Sequence, residues 1–156
     1  MTQGDDAQRV VEALAAHEYA VGELYAAYAL RFPHEAAIWH ALADEERGHG
    51  DALHSLRRTD EGLSAFLDAS RFDPRHIAEG TSRVRELSEV VGYGGMSLRE
   101  ALSTAIELER SMAESRAFQT VATDDPAVGR ILARLREQTL HHVERLQRAL
   151  AGLTRH

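Results

Sequence analysis

Cysteine is absent from all 156 residues. That absence excludes disulfides, thiolate zinc sites, iron–sulfur clusters and cysteine nucleophiles. Proline is scarce, with three occurrences, so helices can run long without being broken. No apolar run approaches the ~20 residues a bilayer-spanning helix requires, and no membrane partner is expected. Clusters of like-signed basic residues are also missing. The 18 Lys and Arg are dispersed among 25 acidic residues, for a formal net charge of −7 and a pI near 5.7. Such a surface does not suit a phosphate backbone, which excludes nucleic acid as the expected partner. There is no glycine-rich phosphate loop, because Gly92-Tyr93-Gly94-Gly95 follows a helical segment rather than opening one. Nuclease, kinase and hydrolase readings have no motif to support them. The opening residues, MTQGDDAQ, lack the basic and apolar regions of a secretory leader, and a cytoplasmic protein is the expectation.

What is present favours helix. Apolar residues make up 44% of the chain, enough for one continuous core in a single domain spanning 1–156. Alanine, leucine, glutamate and arginine abound. Apolar positions recurring every three or four residues predict four long helices. Helix A covers about Ala7 to Leu30, with Asp5 and Asp6 as caps and Val11, Leu14, Glu18, Val21, Tyr25 and Tyr28 on one face. Phe32-Pro33 turns the chain into helix B, about His34 to Leu56, whose stripe is Trp39, Leu42, Glu46, His49, Leu53 and Leu56. Gly48 and Gly50 flank its histidine at about 1 kcal/mol each relative to alanine, which suggests a close backbone approach, with local helix softness as the alternative.

A long connection follows. It holds an apolar turn (Leu63, Phe66, Leu67) and, after the Asp73-Pro74 cap, a helix bearing Ile77, Val84, Leu87 and Val90 or Val91. Helix C opens at a capping box, Ser97 to Glu100, and runs to about Val121 with Leu102, Ile106, Glu109, Ala113 and Ala117 inward. Asp125-Pro126 starts helix D, which is expected to stop at Gly152 after Ala151. Its stripe is Leu132, Leu135, Thr139, His142, Leu146 and Ala149. A short A–B turn, a long helix-bearing crossover between B and C, and a short C–D turn specify an all-α four-helix bundle with B and C parallel. A faint repeat supports paired hairpins: Leu42, His49 and Leu53 superpose on Leu135, His142 and Leu146 at one offset.

Each stripe is interrupted near its middle by polar residues: Glu18 in A, Glu46 and His49 in B, Glu109 in C, Thr139 and His142 in D. At a uniform rise of about 1.5 Å per residue, mid-helix positions meet at one level. Three carboxyl groups and two imidazoles are therefore expected in one core layer. Burying a lone carboxylate costs several kcal/mol, and three together repel. Divalent cations relieve both costs, since carboxylate oxygens and neutral imidazoles are their ligands. Glu18, Glu46, His49, Glu109 and His142 are the candidate metal ligands. His141 competes with His142 and Glu107 with Glu109, each from a less favourable face. Arg116 offers a metal-free way to neutralise a carboxylate. His17, His34, His40, His54, His76 and His156 read as surface or capping residues, and Tyr25 and Tyr28 as core.

The segment EYAVGELYAAYALRFPHEAAIWHALADEERGHGDAL resembles the first hairpin of rubrerythrin-like proteins of the ferritin-like superfamily. The shared features are a helix A glutamate, the Phe-Pro turn, the following Trp, and Glu-Glu-x-x-His. AIELERSMAESRAF with LREQTLHHVERL is similar to the second hairpin. The resemblance implies iron, in a di-iron centre held by Glu18, Glu46, His49, Glu109 and His142 and handling dioxygen, peroxide or ferrous iron. If an enzyme, the chain would then be a ferroxidase or peroxidase, and a homodimer is the expected assembly. Manganese and zinc suit the same donors. The sequence departs from the pattern where Thr139 stands in place of a glutamate, with Gln138 and Glu137 nearby but off the stripe. The donor charge is then −3, which leaves open one ion, a weaker pair, or an added hydroxide or small carboxylate. No rubredoxin domain accompanies the helices, so a peroxidase would need an external reductant. The reading from a different class is a metal-free helical scaffold or partner-binding module with a degenerate site.

Overall fold

A computed structural model describes residues 3–56, 73–114 and 126–154. Every regular element among them is helical. Helix α1 spans Gln3–Arg31, α2 Ala36–Ser55, α3 Pro74–Val91, α4 Leu98–Glu114 and α5 Pro126–Thr154, with a 3-10 turn at Pro33–Glu35 joining α1 to α2. No described helix is long and apolar enough to cross a membrane. The predicted apolar turn at Leu63–Leu67, the Asp125 cap, and the stretch of helix C beyond Glu114 with Arg116 and Ala117 lie outside the described residues.

The local signals act as their chemistry requires. Pro33 opens the 3-10 turn, where its missing N–H costs nothing. The Asp73 side chain accepts from the Arg75 N–H at 2.9 Å and caps α3. Ser97 and Glu100 close the capping box reciprocally, at 3.1 and 2.8 Å. Two expected boundaries are corrected. Helix α1 starts at Gln3, so Asp5 and Asp6 fall within it rather than at its cap. Gly152 does not end α5, which continues to Thr154; its backbone φ is not positive, as a glycine stop would require.

The core is built from two apolar clusters. One gathers Val10, Val11, Leu14 and Ala15 of α1 with Leu53 and Leu56 at the end of α2 and Leu132 and Leu135 of α5; Ile77 and Met112 pack against it. The other gathers Leu24, Tyr25 and Tyr28 of α1 with Trp39 and Leu42 of α2, Val84 and Val91 of α3, Leu102 and Ile106 of α4 and Leu146 of α5. Each helix passes from one cluster to the other. Helices α1, α3 and α5 therefore run one way, and α2 and α4 the opposite way. Trp39 anchors the second cluster, its ring 5.6 Å from Tyr25 and 4.8 Å from Tyr28. Of the two alternatives on α3, Val91 is buried and Val90 exposed.

The two glycines flanking His49 have different reasons. A Cβ on Gly50 would lie 2.6 Å from the Tyr19 ring, whereas one on Gly48 would meet nothing within 4 Å. The close approach expected from the sequence thus holds at Gly50 alone. Gly48→Ala should therefore stabilise by roughly 0.5–1 kcal/mol through helix propensity. Gly50→Ala must push Tyr19 off Asp51, which it bonds at 2.5 Å. It should end at least about 1 kcal/mol less stable than Gly48→Ala. Urea denaturation of the two variants checks the order.

Candidate metal centre

Between the two apolar clusters every helix turns polar at the same level. Along α1 the clusters are separated by His17 and Glu18, along α2 by Glu46 and His49, along α4 by Glu109, and along α5 by Thr139 and His142. Helix α3 joins in through Thr81, between Ile77 and Val84. The layer is dry: Glu18 is 3% exposed, Glu46 1%, His49 4%, Glu109 3% and His142 0%. All five sequence-derived candidates converge. The competitors Glu107 and His141 face solvent.

The five residues form two groups that share one member. Donor atoms of Glu18, Glu46 and His49 lie within 4.8 Å of one another, and so do those of Glu46, Glu109 and His142. His49 Nδ1 is 3.2 Å from Glu46 Oε2 and 3.6 Å from Glu18 Oε2. His142 Nδ1 is 2.9 Å from Glu46 Oε1 and 3.4 Å from Glu109 Oε2. Donors on one first-row ion, at ~2.1 Å each, are separated by about 3.0–3.4 Å for octahedral to tetrahedral angles. Two of the four spacings, 3.2 and 3.4 Å, fall within that range, and the other two, 2.9 and 3.6 Å, lie just outside it. The imidazole planes are nearly parallel, at 18°, with centroids 5.3 Å apart.

The outer nitrogens of the histidines are already engaged. His142 Nε2–H donates to Glu45 Oε2 at 2.6 Å, and His49 Nε2–H donates to Gln138 Oε1 at 2.9 Å. With one proton held at Nε2, loss of the other leaves Nδ1 to present a lone pair inward, the arrangement that prepares histidine for a metal. Glu45 is itself held by Arg145 Nη1, 2.9 Å from both its oxygens. Burial acts to raise the Glu45 carboxyl, but Arg145 and His142 outweigh it and hold it below the usual carboxylate range. On the other side, Tyr25 donates from its hydroxyl to Glu109 Oε1 at 2.7 Å, which leaves Oε2 turned toward His142.

Buried polar atoms of the layer that lack a hydrogen bond need a partner to offset their desolvation. Glu46 Oε1 and His142 Nδ1 both lack a hydrogen-bond partner; they stand 2.9 Å apart without the alignment that would make one. When the imidazole is neutral the two are enclosed acceptors facing each other, costly unless a proton or a cation lies between them. A cation fits that requirement.

Four residues were underweighted in the sequence reading. His17, expected at the surface, is buried. Its Nδ1–H donates to Thr81 Oγ1 at 3.2 Å, since the Thr81 hydroxyl proton goes to the Ile77 carbonyl at 3.0 Å. Burial lowers its imidazole, against the opposing pull of Glu18. Gln138, placed off the stripe, reaches His49 because it needs only to touch the ring's outer edge. Glu45 was passed over for the same reason. One signal could have found both: Glu45 and Gln138 are related by the same offset as His49 and His142. Each histidine is thus supported by the equivalent residue of the opposite hairpin. The relation breaks at Glu46, whose counterpart Thr139 turns its hydroxyl to the Leu135 carbonyl at 2.8 Å. His54, also expected at the surface, is half-buried, its ring centroid 5.6 Å from that of Tyr19.

Comparison of the chain with family models, curated proteins and solved structures returns no match. The residues themselves carry the functional reading.

Without metal, the layer balances itself with protons. Burial raises the Glu18 carboxyl, the nearby Glu46 raises it further, and it reaches about 8. Burial alone would lower both imidazoles. Contacts with Glu18 and Glu46 outweigh it for His49, which rises to about 10, and contacts with Glu109 and Glu46 do so for His142, which rises to about 11. All three groups hold protons more tightly folded than unfolded. Their stabilisation is complete below the unfolded values, about 4.5 for the carboxyl and 6.5 for imidazole, and is lost as pH rises through the folded ones. Metal-free protein should therefore lose stability steadily from about pH 6 to pH 10. Glu18→Gln should flatten the part of that slope below about pH 8. Urea midpoints measured across the range in the presence of a chelator check both.

Proposed function

We propose that the chain is a ferritin-like four-helix-bundle metalloprotein that holds two divalent first-row ions, iron foremost, and uses them on dioxygen or peroxide. One observation carries this reading: two buried carboxylate–imidazole groups share Glu46, with the donor atoms of each group within 4.8 Å of one another. The helix directions support it. Hairpins α1–α2 and α4–α5, with α3 as the crossover lying along α1, give the connection that parallel α2 and α4 require.

Glu18, Glu46 and His49 would hold one ion, and Glu46, Glu109 and His142 the other. When bound, iron supplies the one-electron steps that dioxygen and peroxide chemistry needs. The protein's own part is positional. Glu45 and Gln138 hold the imidazole protons at Nε2. Tyr25 fixes one oxygen of Glu109. The apolar clusters above and below exclude water and so strengthen each charged contact. Loading an ion must displace the protons that His49, His142 and Glu18 carry in its absence.

Anaerobic loading with ferrous iron should yield two ions per chain by elemental analysis, followed by oxidation on exposure to oxygen or peroxide. Glu46→Gln should weaken both ions by tenfold or more, and Glu18→Gln only one. His49→Ala should abolish the oxidative step. Iron binding by His49→Ala equal to the parent's would overturn the proposal.

The metal-free scaffold reading is favoured by one observation, the Thr139 position, which withholds a fourth carboxylate. Thr139→Glu separates the two readings. Without metal the substitution buries another charge and should destabilise by about 2–4 kcal/mol. If the layer is a metal centre, saturating manganese or iron should recover most of that loss by mass action. A scaffold would show the loss with no recovery. Thermal melts with and without metal read the difference.

A further inference from the structure

A cavity of about 310 Å³ opens between α2 and α5, lined by Glu45, Gly48, His49, Ala52, Ile131, Arg134, Leu135 and Gln138. It lies against the outer edge of His49, on the side of the Gln138 hydrogen bond, and touches none of the carboxylates that face the inner Nδ1. Its size falls at the lower end of the ~300–1,000 Å³ range of small-molecule sites.

Three features define what would fill it. The first is the absence of a side chain at Gly48. A glycine inside a helix costs about 1 kcal/mol relative to alanine, and nothing packs within 4 Å of where its Cβ would stand. No neighbour forbids a side chain there; adding one would fill the cavity. The second is the apolar wall of Ala52, Ile131 and Leu135, from successive turns of the two helices. The third is the charge. Glu45 is already bonded to Arg145 and His142. Arg134 has no ion pair or hydrogen bond among the described residues. The charge left unmatched at the cavity is thus positive, and a guanidinium is suited to grip a carboxylate with two parallel hydrogen bonds.

We infer that this cavity binds a small organic carboxylate with a short apolar body, its acid group on Arg134 and its body along Ala52, Ile131 and Leu135. Gln138 is the contact through which an occupant reaches His49, because the same amide lines the cavity and bonds the imidazole. An unmatched arginine disfavours the alternative of a cation entry path. The binding uses side chains only and does not depend on a metal being present.

Calorimetric titration of the metal-free full chain tests the assignment, with hexanoate as probe and acetate and 1-hexanol as controls. Hexanoate should bind at least tenfold more tightly than either control, since acetate lacks the body and hexanol the charge. Arg134→Gln should weaken hexanoate tenfold or more. Gly48→Leu should abolish binding while circular dichroism and cooperative unfolding stay as in the parent. No hexanoate binding, acetate binding as tight as hexanoate, or hexanoate binding unchanged in either variant would overturn the inference. Iron loading of the two variants keeps the outcomes separate. Failure of hexanoate with loading intact counts against the cavity alone, and failure of loading with hexanoate binding intact counts against the metal centre alone.

Discussion

The structure turns on the contact between Glu46 and the two imidazoles beside it. Glu46 is the only acid that both donor groups share, and one of its oxygens faces each histidine. A layer of apolar side chains in that place would have contributed about 1.5–3 kcal/mol per residue from burial. The chain instead buries six ionisable residues, His17, Glu18, Glu46, His49, Glu109 and His142, and desolvation costs several kcal/mol for each that carries a charge. Such a layer persists only if its members compensate one another, by shared protons or, in the proposed function, by bound cations. The split of the core into two apolar clusters follows directly, because every helix must give up its stripe at the height where Glu46 sits.

Much of this was legible beforehand. A stripe that breaks at one point in each of four helices can be read without coordinates, because helical rise is uniform and the turns are marked by Pro33, Asp73, Ser97 and Pro126. Glu18, Glu46, His49, Glu109 and His142 all fall on those breaks, and all five converge. Periodicity also separated His142 from His141 and Glu109 from Glu107. The limits of the method appear at residues that touch the layer from its edge. Gln138 and Glu45 are off-stripe by the criterion of burial, yet an imidazole presents its second nitrogen to the rim of the core. His17 was misread because α1 is contacted on two faces, by α2 and by α3, so its inward surface is wider than a single stripe suggests.

The reciprocity of the outer partners bears on how the centre is built. His49 is supported from α5 by Gln138, and His142 from α2 by Glu45, at equivalent positions of the two hairpins. A charged partner and a neutral one make the two imidazoles unlike. The Glu45 carboxylate draws the His142 proton strongly and makes its Nδ1 the more basic donor, whereas the Gln138 carbonyl polarises His49 less. The asymmetry runs the same way at the shared position, where Glu46 has a carboxylate and its counterpart Thr139 a hydroxyl already given to the backbone. A centre that began with two equal halves would bind its two ions equally. In the proposed centre the more basic imidazole and the tyrosine-held carboxylate, Glu109, would fall to the same ion.

That inequality gives the cavity beside His49 its place in the scheme. The half of the layer containing His142 is closed by the Glu45–Arg145 contact and by the Tyr25 hydroxyl, so its ligands have little freedom to move. The half containing His49 is bounded by a neutral amide, a glycine and open volume. An event outside the core can be transmitted only where a connecting residue has an alternative arrangement, and Gln138 is the residue at this boundary with contacts on both sides. A bound carboxylate that drew the Gln138 amide toward itself would loosen His49, whereas His142 is steadied because its partner Glu45, although it also lines the cavity, is held by Arg145. The less firmly held half of the layer is thus the half that faces the cavity, and the physical reason is the same in both respects: a carboxylate fixes its partner imidazole, and an amide lets it respond.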